Sequence, residues 1–488
     1  MSHSNDIGNN KGFIAVLMPV MEKAGLAPCL ILPNGESVSY QKMVELVCLI
    51  CANLHHQGVK AGDRVLVQAA KTPELVALYL ATLRIGGIYV PLNEAYTVNE
   101  LNYFLDDAQP ALFVSESGHD AVALAELLQT GFQDPGMCLR SADDPAAIVY
   151  TSGTTGRSKG AVLTHNNLLS NAQSLSELWG WQSTDVLLHA LPIFHVHGLF
   201  VALHCALLNG TPMIFLPKFD VELLIAHLPQ ATVMMGVPTF YTRLLADERF
   251  DSDLCRSMRL FISGSAPLAE QTSTQFQDRI GHDILERYGM SETLMIASNP
   301  LEGSRLPGTV GYALPDVHIR IRNEEGELAP INAVGEIEVQ GPNVMLEYWQ
   351  MPEKTAAEFT TDGYLKTGDV GLLDETGRLS LVGRSKDLII SGGYNVYPKE
   401  IEVVLDALPG VVDSAVVGVP HPDFGEGVVA VLVSDEPIDV AKIKAVLSNS
   451  LARFKQPKQY FQMPELPRNA MGKVQKAVLR EAYADVFK

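Results

Sequence analysis

The sequence has little that would tie it to a membrane, an export route or a polyanion. No uninterrupted apolar run approaches the roughly 18 residues that a membrane-spanning helix requires, although 47% of the 488 residues are hydrophobic. The stretch from Met1 to Gly12 is polar, with no apolar core or cleavage pattern. An arginine-rich amphipathic start is missing too, so the expected compartment is the cytoplasm, with neither secretion nor membrane attachment. Positive charge is scarce. Lys and Arg number 36 against 56 Asp and Glu, a net charge of −20, which argues against a nucleic-acid partner held by general charge. If the ligands are anions, the cations that hold them must be placed one by one. The six cysteines (Cys29, Cys48, Cys51, Cys138, Cys205, Cys255) are scattered. Only Cys48 and Cys51 approach a motif. They sit in an apolar helical pattern without a second pair, which favours buried thiols over zinc or redox chemistry. Repeats and low-complexity segments are absent as well.

What is present is an ordinary globular composition, too long for one core, so two or more domains are expected. Lys42 to Leu54 is apolar at helical spacing, and Asp63 to Gln68 reads as a buried strand. Thr72-Pro73-Glu74 supplies an N-cap, a first-turn proline and an acid, and Gly86-Gly87 a C-cap. Strand patterns return at Ile88-Tyr89-Val90, Met213 to Leu216, Thr232 to Met235 and Leu260 to Ile262, with helical stretches between. Such alternation predicts largely parallel sheets flanked by helices, with ligands beyond the carboxyl ends of the strands. The loops after Tyr150, Met235 and Ile262 are therefore expected to converge. From Val317 to Val339 the pattern becomes strand-rich. A boundary is expected near Gly383 to Asp387, followed by an α/β unit of about a hundred residues, large enough to fold alone.

One stretch organises the rest. Ala146-Ala147-Ile148-Val149-Tyr150 reads as a strand that opens into Thr151-Ser152-Gly153-Thr154-Thr155-Gly156-Arg157-Ser158-Lys159-Gly160, and Thr164 then starts a helical pattern. Glycine lets backbone N–H groups approach an anion, hydroxyls add donors without bulk, and Lys159 adds a mobile point charge. The Walker spacing is not met, so a phosphate loop other than that of P-loop NTPases is expected. A second motif, Glu286-Arg287-Tyr288-Gly289-Met290-Ser291-Glu292-Thr293, follows the short strand His282 to Leu285. Tyr288 offers a flat face for a purine, Glu286 an acceptor for an exocyclic amine, and Ser291 a donor to phosphate. Glu292 is a hard oxygen ligand suited to Mg²⁺ on ATP phosphates.

Together these motifs resemble the adenylate-forming superfamily of acyl-CoA synthetases, peptide-synthetase adenylation domains and luciferases. The resemblance implies the remaining assignments. Ser265, Ala266 and Pro267 match the turn against the adenine. Asp369 of Thr367-Gly368-Asp369, read as following a tight turn, matches the ribose-binding carboxylate, assisted by Arg384. Lys386 matches the pivot of the hinge motif, and Gly392 and Gly393 the turn shaping the pantetheine passage of CoA. Lys473 matches the catalytic lysine, whose fixed charge would stabilise the oxyanions of adenylation. His195 matches a gate between acyl and thiol tunnels, with Val196 and His197 bordering the acyl pocket. The implied architecture is α/β: a large N-terminal domain, 1–384, with mostly parallel sheets plus a strand-rich subdomain, and a small mobile C-terminal α/β domain, 385–488.

The substrate must be read separately. Arg287 precedes the adenine-facing Tyr288 at a position lining the acyl pocket. Arg243 lies seven residues past Gly236, on a helix whose N-terminus faces the same pocket. Two buried, unpaired guanidinium groups would be costly, and a carboxylate binds such a group in bidentate fashion. A substrate with two carboxylates is inferred, one activated and one clamped. Pairing of either arginine with a protein acid such as Glu286 is the alternative. Leu188 to Pro192, Phe215 to Asp220, Met235 to Tyr241 and Leu285 to Met290 read like the malonyl-CoA synthetases. That family implies malonate, with methylmalonate as a further substrate, plus ATP, Mg²⁺ and CoA, and a monomer or weak homo-oligomer. A ligase for another short mono- or dicarboxylic acid is the alternative. A carrier-loading adenylation domain is disfavoured because no carrier segment precedes Lys488. A dead nucleotide-binding module is disfavoured because Lys159, Glu292, Asp369 and Lys473 are all present.

Overall fold

The computed structural model describes residues 12–116, 121–151, 158–392, 394–434, 436–469 and 472–487. Among these, the strands form three sheets. The largest contains a parallel block in the order Pro28–Ile31, Met213–Phe215, Leu187–His189, Val233–Gly236, Leu260–Ser263, Leu285–Met290. It continues antiparallel through Leu294–Ser298 and Thr309–Ala313 into Leu379–Arg384, Leu365–Leu373, Gly335–Gln340 and His318–Arg322. The second sheet sets Leu112–Ser115, Arg64–Gln68, Ile88–Pro91 and Pro145–Thr151 in parallel, then adds Lys159–Thr164 and Glu347–Tyr348 antiparallel. The third, smaller sheet is built around the hairpin Val411–His421 and Gly425–Ser434.

Parallel strands covered on both faces need apolar residues at every position rather than alternation. Accordingly Val233–Gly236 and Leu260–Ser263 are buried throughout. The helix Pro73–Arg84 obeys its start signal, since Thr72 Oγ1 accepts from the Leu75 N–H at 3.2 Å. It is buried continuously from Leu75 to Arg84, as an all-round apolar helix must be. One core joins the two large sheets and includes Phe13, Leu78, Leu163, Phe200 and Ile262. The third sheet has cores of its own. Ile389, Ile401, Leu405 and Leu447 pack in one cluster, and Val417, Val431, Leu466 and Leu479 in another. A large N-terminal and a small C-terminal α/β domain result. Among the described residues no helix is long and apolar enough to cross a membrane.

The structure departs from the sequence expectations at three places. Lys159 opens an unforeseen strand that folds back on Pro145–Thr151, with Thr151 opposite Lys159. The run Ala161-Val162-Leu163 has the β-branched, apolar character that pairs in a sheet, and the helix begins at His165 with Thr164 as its N-cap, as the helical pattern predicts. The second motif is not a loop after a strand, because Leu285–Met290 is itself a strand. Finally, Asp369 follows no turn. It lies inside the strand Leu365–Leu373, where the register shifts and Gly368 takes φ 68°.

Candidate functional site

The residues expected to meet phosphate flank the point where Thr151 leaves the second sheet and Lys159 returns to it. Ser152, Gly153, Thr154, Thr155 and Gly156 lie outside the described residues. At their edge, Thr151 Oγ1 donates to Glu292 Oε1 at 3.5 Å, and the Tyr348 hydroxyl donates to the same oxygen at 2.9 Å. The buried Lys159 ammonium lies 4.9 Å from the centre of the Tyr348 ring. Ser291, half-buried, stands in the turn before Glu292. Among the described residues no three or more His, Cys, Asp or Glu side chains group into a metal site. A Mg²⁺ here would depend on the buried Glu292 and on ligand oxygens, which is how this ion sits on nucleotide phosphates.

The nucleoside end is organised by Asp369. Its Oδ2 accepts from the Tyr288 hydroxyl at 2.5 Å, and its Oδ1 pairs with Arg384 Nε at 2.6 Å. Each oxygen keeps further acceptor capacity. Burial pushes the Glu286 carboxyl up to about 7, while its Oε1 accepts from the Gly308 N–H at 3.2 Å. Ser265 holds a left-handed backbone at φ 70°, with Oγ 3.3 Å from His197 Nδ1. Ala266 is half-buried and Pro267 exposed.

Lys473 reaches this cleft from the small domain. Burial, with Arg384 nearby, pushes its ammonium down to about 8, against the opposing pull of Asp369 and Glu292. Its backbone N–H donates to Asn469 Oδ1 at 3.0 Å. The neighbouring Gly472 is so close to the helix Pro238–Leu245 that a Cβ there would sit 3.3 Å from Thr239 Oγ1. The other small-domain residues singled out in the sequence stand apart from this arrangement. Lys386 is exposed in the turn Ser385–Asp387. Gly392 is exposed, with its N–H donated to the Phe424 carbonyl at 2.9 Å. Gly393 lies outside the described residues.

The acyl end is where the two arginines separate. Successive side chains of a strand point to opposite faces, so Arg287 faces away from Glu286 and Tyr288. It is buried, and none of its ion-pairing reach is taken by an acid among the described residues. Its Nε and Nη2 have no hydrogen-bond partner among the described residues. The guanidinium lies over Gly264 so closely that any Cβ there would overlap it. Burial pushes this arginine down to about 9, which leaves it charged at neutral pH. His197 Nε2 and Ser263 Oγ are also buried without a hydrogen-bond partner among the described residues. Burial and the Arg287 charge hold His197 well below the usual range for histidine. Burial, Lys473 and Arg287 push His195 down to about 3. Both rings are therefore neutral. Val196, between them, is buried.

Arg243 does not share this pocket. It is exposed in the last turn of the helix Pro238–Leu245, with Cζ 5.8 Å from the Phe219 ring centre. Helical rotation accounts for this: Thr242 and Arg243 face solvent while Tyr241 and Leu244 face the core. The expectation of two buried arginines is corrected to one. Sequence reading also passed over Tyr348, although an aromatic pair, Tyr348-Trp349, stands out in a chain with 7% aromatics. It assigned Gly264 only to the adenine turn, because nothing local reveals that a side chain from the next strand lies across it.

An adenylate-forming site thus takes shape from elements of both domains, and sequence comparison agrees. The model of the AMP-binding enzyme family matches residues 20–349, and that of the AMP-binding enzyme C-terminal domain matches residues 400–473. The chain belongs to this family of adenylate-forming enzymes and is an AMP-forming acid–thiol ligase. Within the family it is similar to malonate–CoA ligases. A malonate–CoA ligase of Arabidopsis thaliana is 37% identical over 87% of this chain and 79% of its own length. The structure of ATP-bound MatB from Rhodopseudomonas palustris is 48% identical, with TM-score 0.92 over 97% of this chain and 100% of that one. The apo form of the same protein superposes at 0.83 over the same shares. An o-succinylbenzoate CoA synthetase of Bacillus subtilis, solved with ATP and magnesium ion, is 28% identical at TM-score 0.86, over 96% of this chain and 99% of that one.

Proposed function

We propose that the chain is a malonate–CoA ligase that forms malonyl-CoA, AMP and diphosphate through a malonyl adenylate. One observation carries this reading: the buried Arg287 guanidinium has two donors unmet and no ion-paired acid among the described residues. A monocarboxylic acid brings only the carboxylate that reacts, and leaves this cation uncompensated at a cost of several kcal/mol. The far carboxylate of malonate meets it through paired N–H···O bonds. His197 and Val196 line the same pocket, and His195 is a neutral gate at its mouth. The malonate–CoA ligase relatives support the same substrate; methylmalonate is the natural second candidate.

In the first half-reaction a malonate oxygen attacks the α-phosphorus of ATP, and the bond to diphosphate breaks. Residues 151–156, Lys159 and Ser291 hold the phosphates. Ser265, Ala266, Pro267, Glu286 and Tyr288 hold the adenine, and Asp369 with Arg384 holds the ribose. Glu292 would hold a Mg²⁺, which would supply charge neutralisation on the phosphate oxygens. Lys473 stabilises the charge that accumulates around the α-phosphorus. In the second half-reaction the CoA thiolate attacks the acyl carbonyl, and AMP leaves. We assign the domains as 1–384 and 385–488, turning about Lys386 so that Lys473 withdraws and Gly392-Gly393 faces the thiol path. One cleft that excludes water yet serves two reagents of different shape needs such a motion.

Diphosphate release measured across short mono- and dicarboxylic acids tests the substrate. Malonate should exceed acetate, propionate and butyrate by about a hundredfold in kcat/KM, the scale of one buried charge pair; a monoacid performing equally well sinks the reading. A pH dependence follows from Lys473. Its ammonium is charged below about 8 and neutral above, so kcat/KM for adenylation should fall as pH rises through 8. Thioester formation from supplied malonyl-AMP should instead rise there, as the CoA thiol ionises. A descending limb common to both steps would contradict the assignment.

A further inference from the structure

The acid that ion-pairs with Lys159 belongs to a helix the motifs do not touch. Glu358 closes the helix Pro352–Glu358, and its Oε1 lies 3.7 Å from Lys159 Nζ and 2.6 Å from Lys354 Nζ. One carboxylate oxygen thus stands between two ammonium groups. The Lys159 side chain is only 10% exposed, against 39% for Lys354. Burial and the Lys354 charge together hold Lys159 below the ordinary range for lysine.

Helix stability does not explain this pair. An acid is favoured near a helix N-terminus and a base near its C-terminus, and i,i+4 pairs prefer the acid first. Here the order is reversed: Lys354 comes first, and Glu358 ends the helix. The helix is instead fixed from outside. The Tyr348 N–H donates to Thr355 Oγ1 at 3.0 Å, and Thr355 Oγ1 donates to the Met351 carbonyl at 2.9 Å. Tyr348 itself pairs with Ala161, and the Trp349 N–H donates to the Gly160 carbonyl at 2.7 Å. This chain of bonds carries Lys354 and Glu358 to the first residue of the strand that Lys159 opens.

We infer that Lys354 is a second cation for the terminal phosphates of ATP, and that Glu358 holds the place of a phosphate between Lys354 and Lys159 until the nucleotide displaces it. A phosphate group offers more charge and more acceptor oxygens than a carboxylate, so it wins the two ammonium groups on binding. After adenylation the same carboxylate competes with diphosphate and favours its departure. The inference rests on Lys159 being a phosphate ligand.

The test is steady-state kinetics, with diphosphate as product inhibitor, on the full chain and its K354A, K354R, E358Q and K159A variants. In K354A the ATP KM and the diphosphate inhibition constant should rise about fivefold to tenfold, with the malonate KM unchanged, and K354R should restore most of the loss. In E358Q both constants should fall about threefold. An ATP KM within about twofold of the parent in K354A overturns the inference. So does a rise in E358Q parallel to that in K354A, because the trio would then merely brace the helix. K159A separates the two levels. ATP affinity lost in K159A but kept in K354A removes the inference and leaves the site assignment standing; affinity kept in both removes the phosphate role of Lys159 itself.

Discussion

Arg287→Ala is expected to raise the malonate KM by about two orders of magnitude while leaving the ATP KM within about threefold. The guanidinium sits on one face of the strand Leu285–Met290, whereas Glu286 and Tyr288, proposed to hold the nucleoside, lie on the other. Its loss should therefore be felt by one substrate and not the other. Arg287→Lys should fall between, because an ammonium keeps the charge but not the planar fork. A second readout separates binding from folding. An unpaired buried cation destabilises the ligand-free protein, so the alanine variant should unfold at an unchanged or higher temperature despite its poor activity. Equal rises in both KM values, or a large loss of stability without malonate, would mean that Arg287 is structural.

Lys473→Ala should lower the adenylation rate about a thousandfold, the scale of removing one preorganised charge stabiliser at a transition state. Thioester formation from supplied malonyl-AMP should change by no more than about threefold, because charge at the α-phosphorus plays no part in thiol attack. The half-buried side chain is close to Asp369, Glu292 and Arg384, the end of the cleft proposed to hold the nucleotide. The superposition on ATP-bound MatB is correspondingly better than on its apo form, 0.92 against 0.83. Diphosphate release measures the first step and malonyl-CoA formation the second. Equal losses in both would rule out the withdrawal of Lys473 between them.

Much of this was legible in the chain itself. Glycines, hydroxyls and one lysine between Thr151 and Gly160 point to anion binding in the sequence alone, because backbone donors and a point charge act locally. Continuous apolar runs such as Val233–Met235 and Leu260–Ile262 specify buried parallel strands for the same local reason. The strand at Lys159–Thr164 was missed because a helical pattern follows it at once. Its partner is set by the hairpin and by Glu347–Tyr348, nearly two hundred residues later. Likewise Gly368 could be recognised as a bend, but only pairing with Gly335–Gln340 makes it a bulge within a strand.

What the sequence by itself determined is the kind of chemistry, that of the AMP-binding enzymes; the phosphate loop, the ribose carboxylate, the lysine for the α-phosphorus and the two acyl-pocket arginines were expectations built on it. Only the tertiary structure decided between those arginines. Burial depends on which side of a helix or strand meets a neighbour; Arg243 turned outward, while Arg287 came to rest over Gly264 with no ion-paired acid among the described residues. The meeting of Lys159, Glu358 and Lys354 was decided in the same way. Charge is written in the residue, but its partner and its solvation are fixed by whatever the fold brings alongside.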